Sequence, residues 1–565
     1  MLLAAALGLS ALILTPGLLF YFDVTPKFVV LLLTAGVALV PLRRGALAWL
    51  AIATLVWLAV CTALSTDPAL SFRGTHWRQF GALGQAAVVV IAWAMAAQTD
   101  RVGAMLRILS VAGAITALYG IAQYAGWDPL LPAAAYHVGE GFWTIVRPPS
   151  TLGYVSYFAT WLLYVVFLSA ALPGRMAKVC AALAAVAMLL TGTRAAMAGL
   201  AVGAMVWFYW RGFGVPRRAI WGGVAALVAL AGLYLSPVGQ PLRSRARWYV
   251  EDPWGGARPR LWRDSLAMGM ARPVAGYGPE TFTAEFPHHE SKALARAYPE
   301  FAHESPHNMF LDALVGQGVV GLALLAAWCA LGFGAAWKLR GAHPRLAAGL
   351  AAAMAAGTVS QQFTVFTLAT AAIFFATVGI AAGMAMPAAP SVRRWPLALP
   401  LIYFAVQSAL GDHALAAAQR DLAAGKLSAA AAHYAASGQS SDLWYSRALW
   451  EAASKAQQLP ERLVALERAS QAGERATRTA EAPFNAWYSL STIRALQNNA
   501  RATEQCLRAA IGAHPNWFKP HWMLARVLKL QGRDAEALRE ATQAADLDGG
   551  VHPEVARTLH ELQTQ

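Results

Sequence analysis

His307 and Asn308 open a long apolar stretch of the chain, and Ser305 and Pro306 precede them in an order typical of a helix start. The first turn of a helix has backbone N–H groups without intrahelical acceptors and carries the positive end of the helix dipole. Such an end suits a phosphate or diphosphate group. It also disfavours an imidazolium, and so we expect His307 to be neutral and able to accept a proton. The residues predict group transfer on a phosphorylated substrate, with a purely structural histidine as the alternative.

Arginines between the apolar runs are candidates to bind the phosphate groups, because a guanidinium makes bidentate and permanently charged contacts. Arg194 ends a TGTR tetrapeptide between two apolar runs, and Arg258 and Arg260 lie early in the segment 257–282. The spacing in that segment predicts an amphipathic helix on the membrane surface, followed by a turn rich in proline and glycine. A solvated basic loop is the alternative. The apolar helix positions are Trp262, Leu266, Met270 and Ala271, and the turn positions are Pro273, Gly276 and Gly278.

Other polar residues are weaker candidates for the same site. Arg78 and Arg147 could bind the diphosphate, or they could be interfacial anchors beside Trp77 and Trp143. Asp312 lies just inside the apolar stretch and could pair with an arginine or orient a catalytic group. No acidic or cysteine cluster has the spacing of a metal site, and so we expect neither a metal ion nor another cofactor.

Membrane-spanning helices must position these residues. Of the 565 residues 57% are hydrophobic and 13% are charged, which is about half the charged fraction of soluble domains. The apolar residues gather in charge-free runs that suit the ~17–25 residues of a spanning helix. They predict thirteen spans: 3–22, 28–42, 45–65, 79–97, 104–125, 152–172, 177–191, 195–210, 219–236, 308–337, 345–362, 364–387 and 396–411.

The charges of the short loops predict the orientation of the spans. Every second short loop is rich in arginine and lysine, and Asp100 is the one acid in that set of loops. Positive loops stay cytoplasmic, which puts the N-terminus inside and the loop 237–306 outside, in the periplasm of a bacterium. With thirteen spans the tail lies in the periplasm, whereas a total of twelve spans would leave it in the cytoplasm. Because the net charge of +15 follows from this topology, nucleic-acid binding is not expected.

The predicted fold is an all-α polytopic membrane protein with a large periplasmic loop and a C-terminal helical-repeat domain. Its regions are 1–236 with nine spans, the loop 237–306, 307–411 with the remaining spans, and the tail 412–565. In the tail, two helix–turn–helix units recur after about 35 residues, with turns at Asn498–Asn499 and Gly532, and they resemble tetratricopeptide repeats. Such a domain would be either a docking surface for a protein partner or a stabilising cap.

Several segments together resemble the O-antigen ligase and polymerase superfamily of bacterial membrane glycosyltransferases. The resemblance covers about residues 145–385. The segments are TGTR (191–194), the set Arg258, Trp262, Pro273, Gly276, Gly278 and Phe282, HNMFLDALVGQGVVG (307–321) and RPPSTLGYVSYFA (147–159).

The resemblance implies a metal-independent, inverting transfer of a glycan from undecaprenyl diphosphate to a hydroxyl acceptor. The transfer would take place at the periplasmic face of the inner membrane, with lipid A–core as the acceptor of an O-antigen ligase. Arg194 and Arg258 would stabilise the diphosphate, with Arg260 as a rival to Arg258. His307 would assist or position the acceptor hydroxyl, and Asn308 would contribute to the substrate site.

Other functions remain open at this point. The simplest ligases of the family end after about twelve spans, and so the extra span and tail leave the acceptor undetermined. A protein O-oligosaccharyltransferase and an O-antigen or exopolysaccharide polymerase use the same chemistry. A transporter would carry ionisable residues near the middle of the membrane at discontinuous helices. A non-catalytic envelope scaffold would explain the tail but not the histidine and arginines.

Overall fold

The computed structural model describes residues 1–41, 45–140, 143–211, 228, 231–232, 234–240, 243, 256–386, 392–394, 398–438 and 441–564. Most of the predicted span 219–236 and residues 244–255 of the large loop lie outside these residues. The described residues are almost all helical, with two short antiparallel strand pairs. The pairs are β1 (Leu39–Pro41) with β4 (Val392–Arg394), and β2 (His137–Glu140) with β3 (Trp143–Val146).

The helices follow the apolar runs closely. Before the large loop they are α1 (Leu2–Leu12), α2 (Thr25–Val37), α3 (Ala46–Ala63), α4 (Pro68–Arg73), α5 (Ala82–Met95), α6 (Val102–Tyr124), α7 (Val155–Ala171), α8 (Arg175–Leu190) and α9 (Arg194–Arg211). The loop contains α10 (Arg258–Ala271), α11 (Phe282–Glu285) and α12 (Lys292–Ala297). After it come α13 (Met309–Lys338), α14 (Pro344–Ser360), α15 (Leu368–Ala385) and α16 (Ala398–Ala423).

The tail continues with eight shorter helices. They are α17 (Leu427–Ser437), α18 (Asp442–Lys455), α19 (Leu459–Thr479), α20 (Pro483–Leu496), α21 (Ala500–Ala513), α22 (Phe518–Leu530), α23 (Asp534–Asp548) and α24 (Pro553–Gln563). The predicted turns are present, because Asn498 and Gly532 both adopt positive φ between paired helices, at 54° and 73°. The assignment of these pairs to tetratricopeptide repeats stays a prediction.

The apolar helices confirm the fold class: the chain is an all-α, multi-pass membrane protein. Four helices among the described residues are long and apolar enough to cross a membrane by themselves. Shorter apolar helices, including α1, α2, α5 and α7, accompany them. The four long spans are Ala46–Ala63, Thr99–Tyr124, Met309–Leu339 and Leu368–Ala385.

Three predicted spans differ most from their helices, and the second of them, 28–42, overruns α2, which ends at Val37 before β1 begins at Leu39. The first span was expected at 3–22, but α1 ends at Leu12, where Pro16 and Gly17 turn the chain and Gly17 has a φ of 77°. The last span was expected to end at residue 411, but α16 runs on to Ala423. Leu422 near the end of α16 packs in an apolar cluster of the tail, and so the helix continues past residue 411 as part of that region.

The chain divides into two compact units. The membrane unit comprises Met1–Gly255, Val274–Pro279 and His307–Ala409, and the loop–tail unit comprises Gly256–Pro273, Glu280–Pro306 and Leu410–Gln565. The large loop thus contributes to both units, whereas the sequence treated it as a region of its own.

Small residues allow the helices of the membrane unit to approach closely. Gly199 and Gly203 lie one turn apart on α9 against α14 and α7. A Cβ atom on Gly199 would lie 2.6 Å from the carbonyl oxygen of Ala356, and one on Gly203 would lie 2.3 Å from the ring of Phe167. This is the small-xxx-small spacing of close helix pairs in membranes. The adjoining α15 is buried along its length from Leu368 to Gly383, as expected for a helix that is apolar on every side.

Candidate functional site

The start of α13 differs from the predicted helix start. Ser305, Pro306 and His307 were expected as the N-cap and the first two helical residues, but the N-cap is Asn308. Its Oδ1 accepts hydrogen bonds from the backbone N–H groups of Phe310 and Leu311, at 2.9 and 3.2 Å. Asparagine and serine are comparably good N-caps, and so the residue types alone did not decide between the two positions.

The prediction that the N–H groups of this helix end bind phosphate is wrong. Met309 N–H donates to the carbonyl oxygen of Gln361 at 2.9 Å, and Asp312 N–H donates to that of Asn308 at 2.8 Å. The two N–H groups between them are capped by the Asn308 side chain. Each of the first four donors of α13 therefore already has an acceptor, and an anion here would have to bind to side chains.

His307 adopts a backbone conformation that is unusual for histidine. Its φ is 49°, in the left-handed region, and it lies directly before the N-cap of α13. The half-buried His307 follows the buried Ser305 and Pro306. Residues other than glycine are held in this region only where the surroundings determine the conformation, and such residues are frequent at functional sites. The position of His307 is therefore fixed by the chain on both sides.

A partly buried ion pair joins α13 to the segment after α4. Arg78 Nη1 lies 3.0 Å from Asp312 Oδ2, and Nη2 lies 3.4 Å from Oδ1. Arg78 is 5% exposed, and its guanidinium also lies over the rings of Trp77 and Phe80, at 5.3 and 5.8 Å. This pair is one of the two roles predicted for Asp312. Its charge is shared with Asp312, and so Arg78 holds the first turn of α13 in place.

The helix α13 is interrupted at Gly318. This residue has a φ of 68° and a ψ of −170°, which breaks the helical hydrogen-bond pattern and frees carbonyl groups of the preceding turn. The segment Val274–Pro279, which we name the glycine strap, supplies two of the missing donors. Tyr277 N–H donates to the carbonyl oxygen of Val315 at 2.9 Å, and Gly278 N–H donates to that of Gly316 at 3.0 Å.

The indole of Trp57 supplies the third donor, since its Nε1 donates to the carbonyl oxygen of Gln317 at 2.9 Å. Three consecutive carbonyls at the break are therefore bonded to protein groups. In a membrane region this is required, because an unsatisfied backbone group in apolar surroundings is very unfavourable. The Gln317 side chain adds a bond from its Nε2 to Gln85 Oε1 at 2.8 Å.

The other edge of the glycine strap is bonded to residues at and after the end of α3. The Tyr277 carbonyl accepts from Thr66 N–H at 3.0 Å and from Ser65 Oγ at 3.1 Å, and the Pro279 carbonyl accepts from Ser71 Oγ at 2.8 Å. The strap is thus held from both sides. The sequence predicted its proline and glycine only as a turn that ends a helix.

Two glycines allow the strap to approach the backbone of α13 closely. A Cβ on Gly276 would lie 2.5 Å from the carbonyl oxygen of Val315 and 2.7 Å from Gln317 N. Gly316 faces the strap, since a Cβ there would first meet the carbonyl oxygen of Gly278 at 3.4 Å. Two backbones can approach this closely only where side chains are missing.

Arg194 is the first residue of α9, directly after the turn that joins α8 to α9. The turn before it is closed by hydroxyl groups, because Thr191 Oγ1 donates to the carbonyl oxygen of Met188 at 2.6 Å and accepts from Thr193 N–H at 3.2 Å. Gly192 provides the positive φ of 60° that the turn needs. The TGT sequence therefore has a conformational role, which places the half-buried Arg194 at a helix start as the sequence predicted.

Arg147 follows the β2–β3 hairpin. Its backbone N–H donates to the carbonyl oxygen of Tyr136 at 2.9 Å, and its guanidinium lies 5.7 Å from the ring centre of Tyr154. Arg147 thus contacts an aromatic ring, and its role as an interfacial anchor or a diphosphate ligand stays a prediction.

Arg258 and Arg260 both lie at the start of α10, in the loop–tail unit. Arg258 is half-buried and Arg260 is exposed. The helix buries Leu261 and Met268, whereas Leu266 and Met270 remain 49% and 57% exposed. The predicted helix is thus present with two of its apolar positions exposed, and its location on the membrane surface stays a prediction.

Glutamines near α13 were missed by the sequence reasoning. Gln362 Oε1 accepts from Asn308 Nδ2 at 3.2 Å, and Gln361 is fully buried beside it. Within the described residues neither side-chain amide atom of Gln361 has a hydrogen-bond partner. A buried unpaired amide is a candidate to bind a polar group of a substrate. The available signal was the pair of glutamines inside an otherwise apolar run, since polar residues in spans are frequently functional.

Comparison with known proteins identifies the part of the chain that contains these features. Residues 179–326 match the family model of O-antigen ligases. A stretch of 150 residues is also 29% identical to an O-antigen ligase of Pseudomonas aeruginosa, which covers 26% of this chain and 32% of that relative. The chain therefore spans about a third of the relative's length. The family match includes Arg194, Arg258, the glycine strap and His307, and it supports the resemblance to this superfamily.

Proposed function

We propose that the chain is a glycosyltransferase of the O-antigen ligase type. It transfers a glycan from undecaprenyl diphosphate to a hydroxyl acceptor at the periplasmic face of the bacterial inner membrane. The observation that carries the proposal is that Arg194, Arg258 and His307 all lie in the segment that matches the ligase family.

In the proposed reaction the acceptor oxygen attacks the anomeric carbon of the glycan, and the bond from that carbon to the diphosphate oxygen breaks. The diphosphate leaves with the electron pair, and the configuration at the anomeric carbon inverts. His307 accepts the proton of the acceptor hydroxyl or positions that hydroxyl. Because the leaving group is already a good one, positioning and charge stabilisation supply most of the catalysis.

Guanidinium groups are proposed to stabilise the departing diphosphate without a metal ion. The backbone donors at the start of α13 are occupied, which leaves this role to side chains. Arg194 and Arg258 are the first candidates, with Arg260 as the rival to Arg258 and Arg147 as a further contact. Arg78 is a weaker candidate than the sequence indicated, since its charge is paired with Asp312.

The interrupted helix α13 bears on the alternative of a transporter. Transporters use the free backbone groups of discontinuous helices to bind ions and substrates. In this chain the carbonyls of Val315, Gly316 and Gln317 are bonded to the glycine strap and to Trp57. The break therefore serves to dock the strap, and this favours the enzyme over a transporter.

The test is glycan transfer by purified protein from an undecaprenyl-diphosphate glycan, with lipid A–core, a protein and a polysaccharide as separate acceptors. We expect Arg194→Ala, Arg258→Ala and His307→Ala each to slow transfer by about 100-fold or more. Arg175→Ala is the matched control, because Arg175 is exposed at the start of α8, in a loop predicted to be cytoplasmic. Unchanged transfer in all three variants would contradict the proposal, and the acceptor that is used separates ligase, protein glycosylation and polymerase.

A further inference from the structure

The tail binds the large loop of its own chain. Within the loop–tail unit, Ala295 of α12 packs with Phe518, Ala544 and Leu547 of the tail in one apolar cluster. At the end of α23, a Cβ on Gly549 would lie 2.8 Å from the carbonyl oxygen of Arg296, and so the two backbones are in close contact. The surface that the sequence offered to a protein partner is in part covered by the loop.

Ion pairs surround this apolar contact. Arg296 Nη2 lies 2.5 Å from Asp546 Oδ1, and Lys519 Nζ lies 2.6 Å from Glu300 Oε2. Glu300 also lies 3.0 Å from His552 Nε2. These pairs are partly exposed, and exposed ion pairs stabilise weakly. They therefore contribute more to the specific position of the loop on the tail than to the stability of the contact.

A buried pair holds the loop more firmly. His514 Nε2 of the tail lies 2.6 Å from Glu290 Oε2 of the loop, and the two side chains are 7% and 4% exposed. Asn516 Nδ2 donates to the backbone carbonyl of Glu290 at 2.6 Å. Removal of one partner from such a pair leaves a buried polar or charged group without its bond, which is strongly destabilising.

The residue after Glu290 links this pair to α10. Ser291 donates to Asp264 Oδ2 twice, from its backbone N–H at 3.0 Å and from its Oγ at 2.7 Å. Asp264 is buried on α10, less than two helical turns after Arg258. His514 in the tail is thus connected to the helix that begins with the two arginines by its pair with Glu290, the peptide bond from Glu290 to Ser291, and the hydrogen bonds of Ser291 to Asp264.

From this chain of contacts we infer that the tail is a built-in clamp that positions the arginines of α10 for the donor diphosphate. Its docking surface is used by a segment of the same polypeptide. Glu290 and His514 are positioning residues, and Asp264 and Ser291 transmit their effect to Arg258. The contacts between the tail and the loop lie within the loop–tail unit and do not depend on the function. The effect on the donor diphosphate rests on the proposed transferase function.

The functional test compares two histidine variants in the full-length protein. His514→Ala removes the contact with the loop. His521→Ala is the control, since His521 makes a comparable 2.6 Å pair with Glu540 entirely within the tail. We expect His514→Ala to raise the KM for the donor on the order of tenfold, with the KM for the acceptor unchanged. A lower kcat with both KM values unchanged would show partial unfolding only and would overturn the positioning role.

A second measurement does not depend on transferase activity. Limited trypsin digestion of the full-length protein should cleave after Arg296 faster in His514→Ala than in the wild type or in His521→Ala. In case His514→Ala does not fold, Asp546→Ala provides the same test at an exposed pair, because it removes the carboxylate that pairs with Arg296 and keeps Arg296 as the cleavage site. Unchanged cleavage in these variants would overturn the clamp itself. If the wild-type protein transfers no glycan but the variants are still cleaved faster than the wild type, the clamp stands and the proposed function is refuted.

Discussion

The large loop is anchored by two different kinds of contact in the two units. In the membrane unit the glycine strap pairs its backbone with the carbonyls at the break of α13 and with hydroxyl groups beyond α3. In the loop–tail unit residues 290–300 are held by side-chain pairs, such as Glu290 with His514 and Arg296 with Asp546. The difference teaches that the apolar environment demands partners for backbone groups, whereas the solvated unit can recognise its loop through charge.

The strap should be the more fragile of the two anchors. Gly276→Ala would put a Cβ 2.5 Å from a backbone oxygen at a φ of 69°, which neither backbone can easily relieve. We expect a loss of at least about 3 kcal/mol in the free energy of unfolding, seen as a lower melting temperature in detergent and less folded protein in the membrane. Gly334→Ala is the control, because that exposed glycine of α13 has no atom within 4 Å of an added Cβ. Equal stability of the two variants would contradict the role assigned to the strap.

Charge inside the membrane unit should matter more than charge on its surface. Arg78→Ala removes the buried guanidinium that pairs with Asp312 and should lower the free energy of unfolding by about 2 kcal/mol, because a partly buried carboxylate loses two charge-assisted hydrogen bonds. The double change Arg78→Met with Asp312→Leu should recover most of the loss in a detergent melt. The exposed pair of Arg101 and Asp100 is the control, and Asp100→Ala should change stability by less than about 0.5 kcal/mol. If Arg78→Ala melts like the control, the pair does not hold α13.

The smallest expected effect is a pH dependence of the free energy of unfolding, caused by His303 in the loop–tail unit. Burial lowers the pKa of His303 below its usual value; Glu290 and Asp264 oppose this shift, and His514 adds to it. The unfolded chain therefore binds more protons than the folded one, and stability should fall as the pH drops through and below about 6.5. One proton can contribute at most about 1.4 kcal/mol per pH unit.

Melting of the full-length protein at pH 7.5 and 5.5 measures this effect. His303→Gln should weaken the pH dependence, whereas the exposed control His560→Gln should leave it unchanged. If the melting temperature changes equally between the two pH values in the wild type and in both variants, His303 is not the cause of the pH dependence.

Most helices could be predicted because apolar composition alone determines which segments enter a membrane. The run 45–65 and the helix Ala46–Ala63 show the agreement. The errors arose at helix ends. The first helix ended at Leu12, ahead of the turn at Pro16 and Gly17, and Asn308 replaced Ser305 as the N-cap of α13. A hydrophobic run contains no information about such local competition.

The candidate site could be predicted in its residue types but not in its contacts. Arg78 and Asp312 were both singled out, yet their pairing joins residues 234 positions apart. The roles of Gly276 and Gly278 likewise depend on the break in α13, which no local pattern revealed. Spacing along one helix is short-range information, whereas a backbone that docks against another backbone is a property of the assembled chain.

The three-way junction of Trp57, the strap and the broken helix also orders events during protein synthesis. Its partners are spread over 260 positions, from Trp57 to the carbonyl of Gln317. The early spans therefore lie in the bilayer without these bonds until residue 317 has been synthesised and has left the ribosome. A chain that stops before that point retains a hydrophobic anchor but lacks the bonds that complete the bundle, and it is a natural substrate for membrane quality-control proteases.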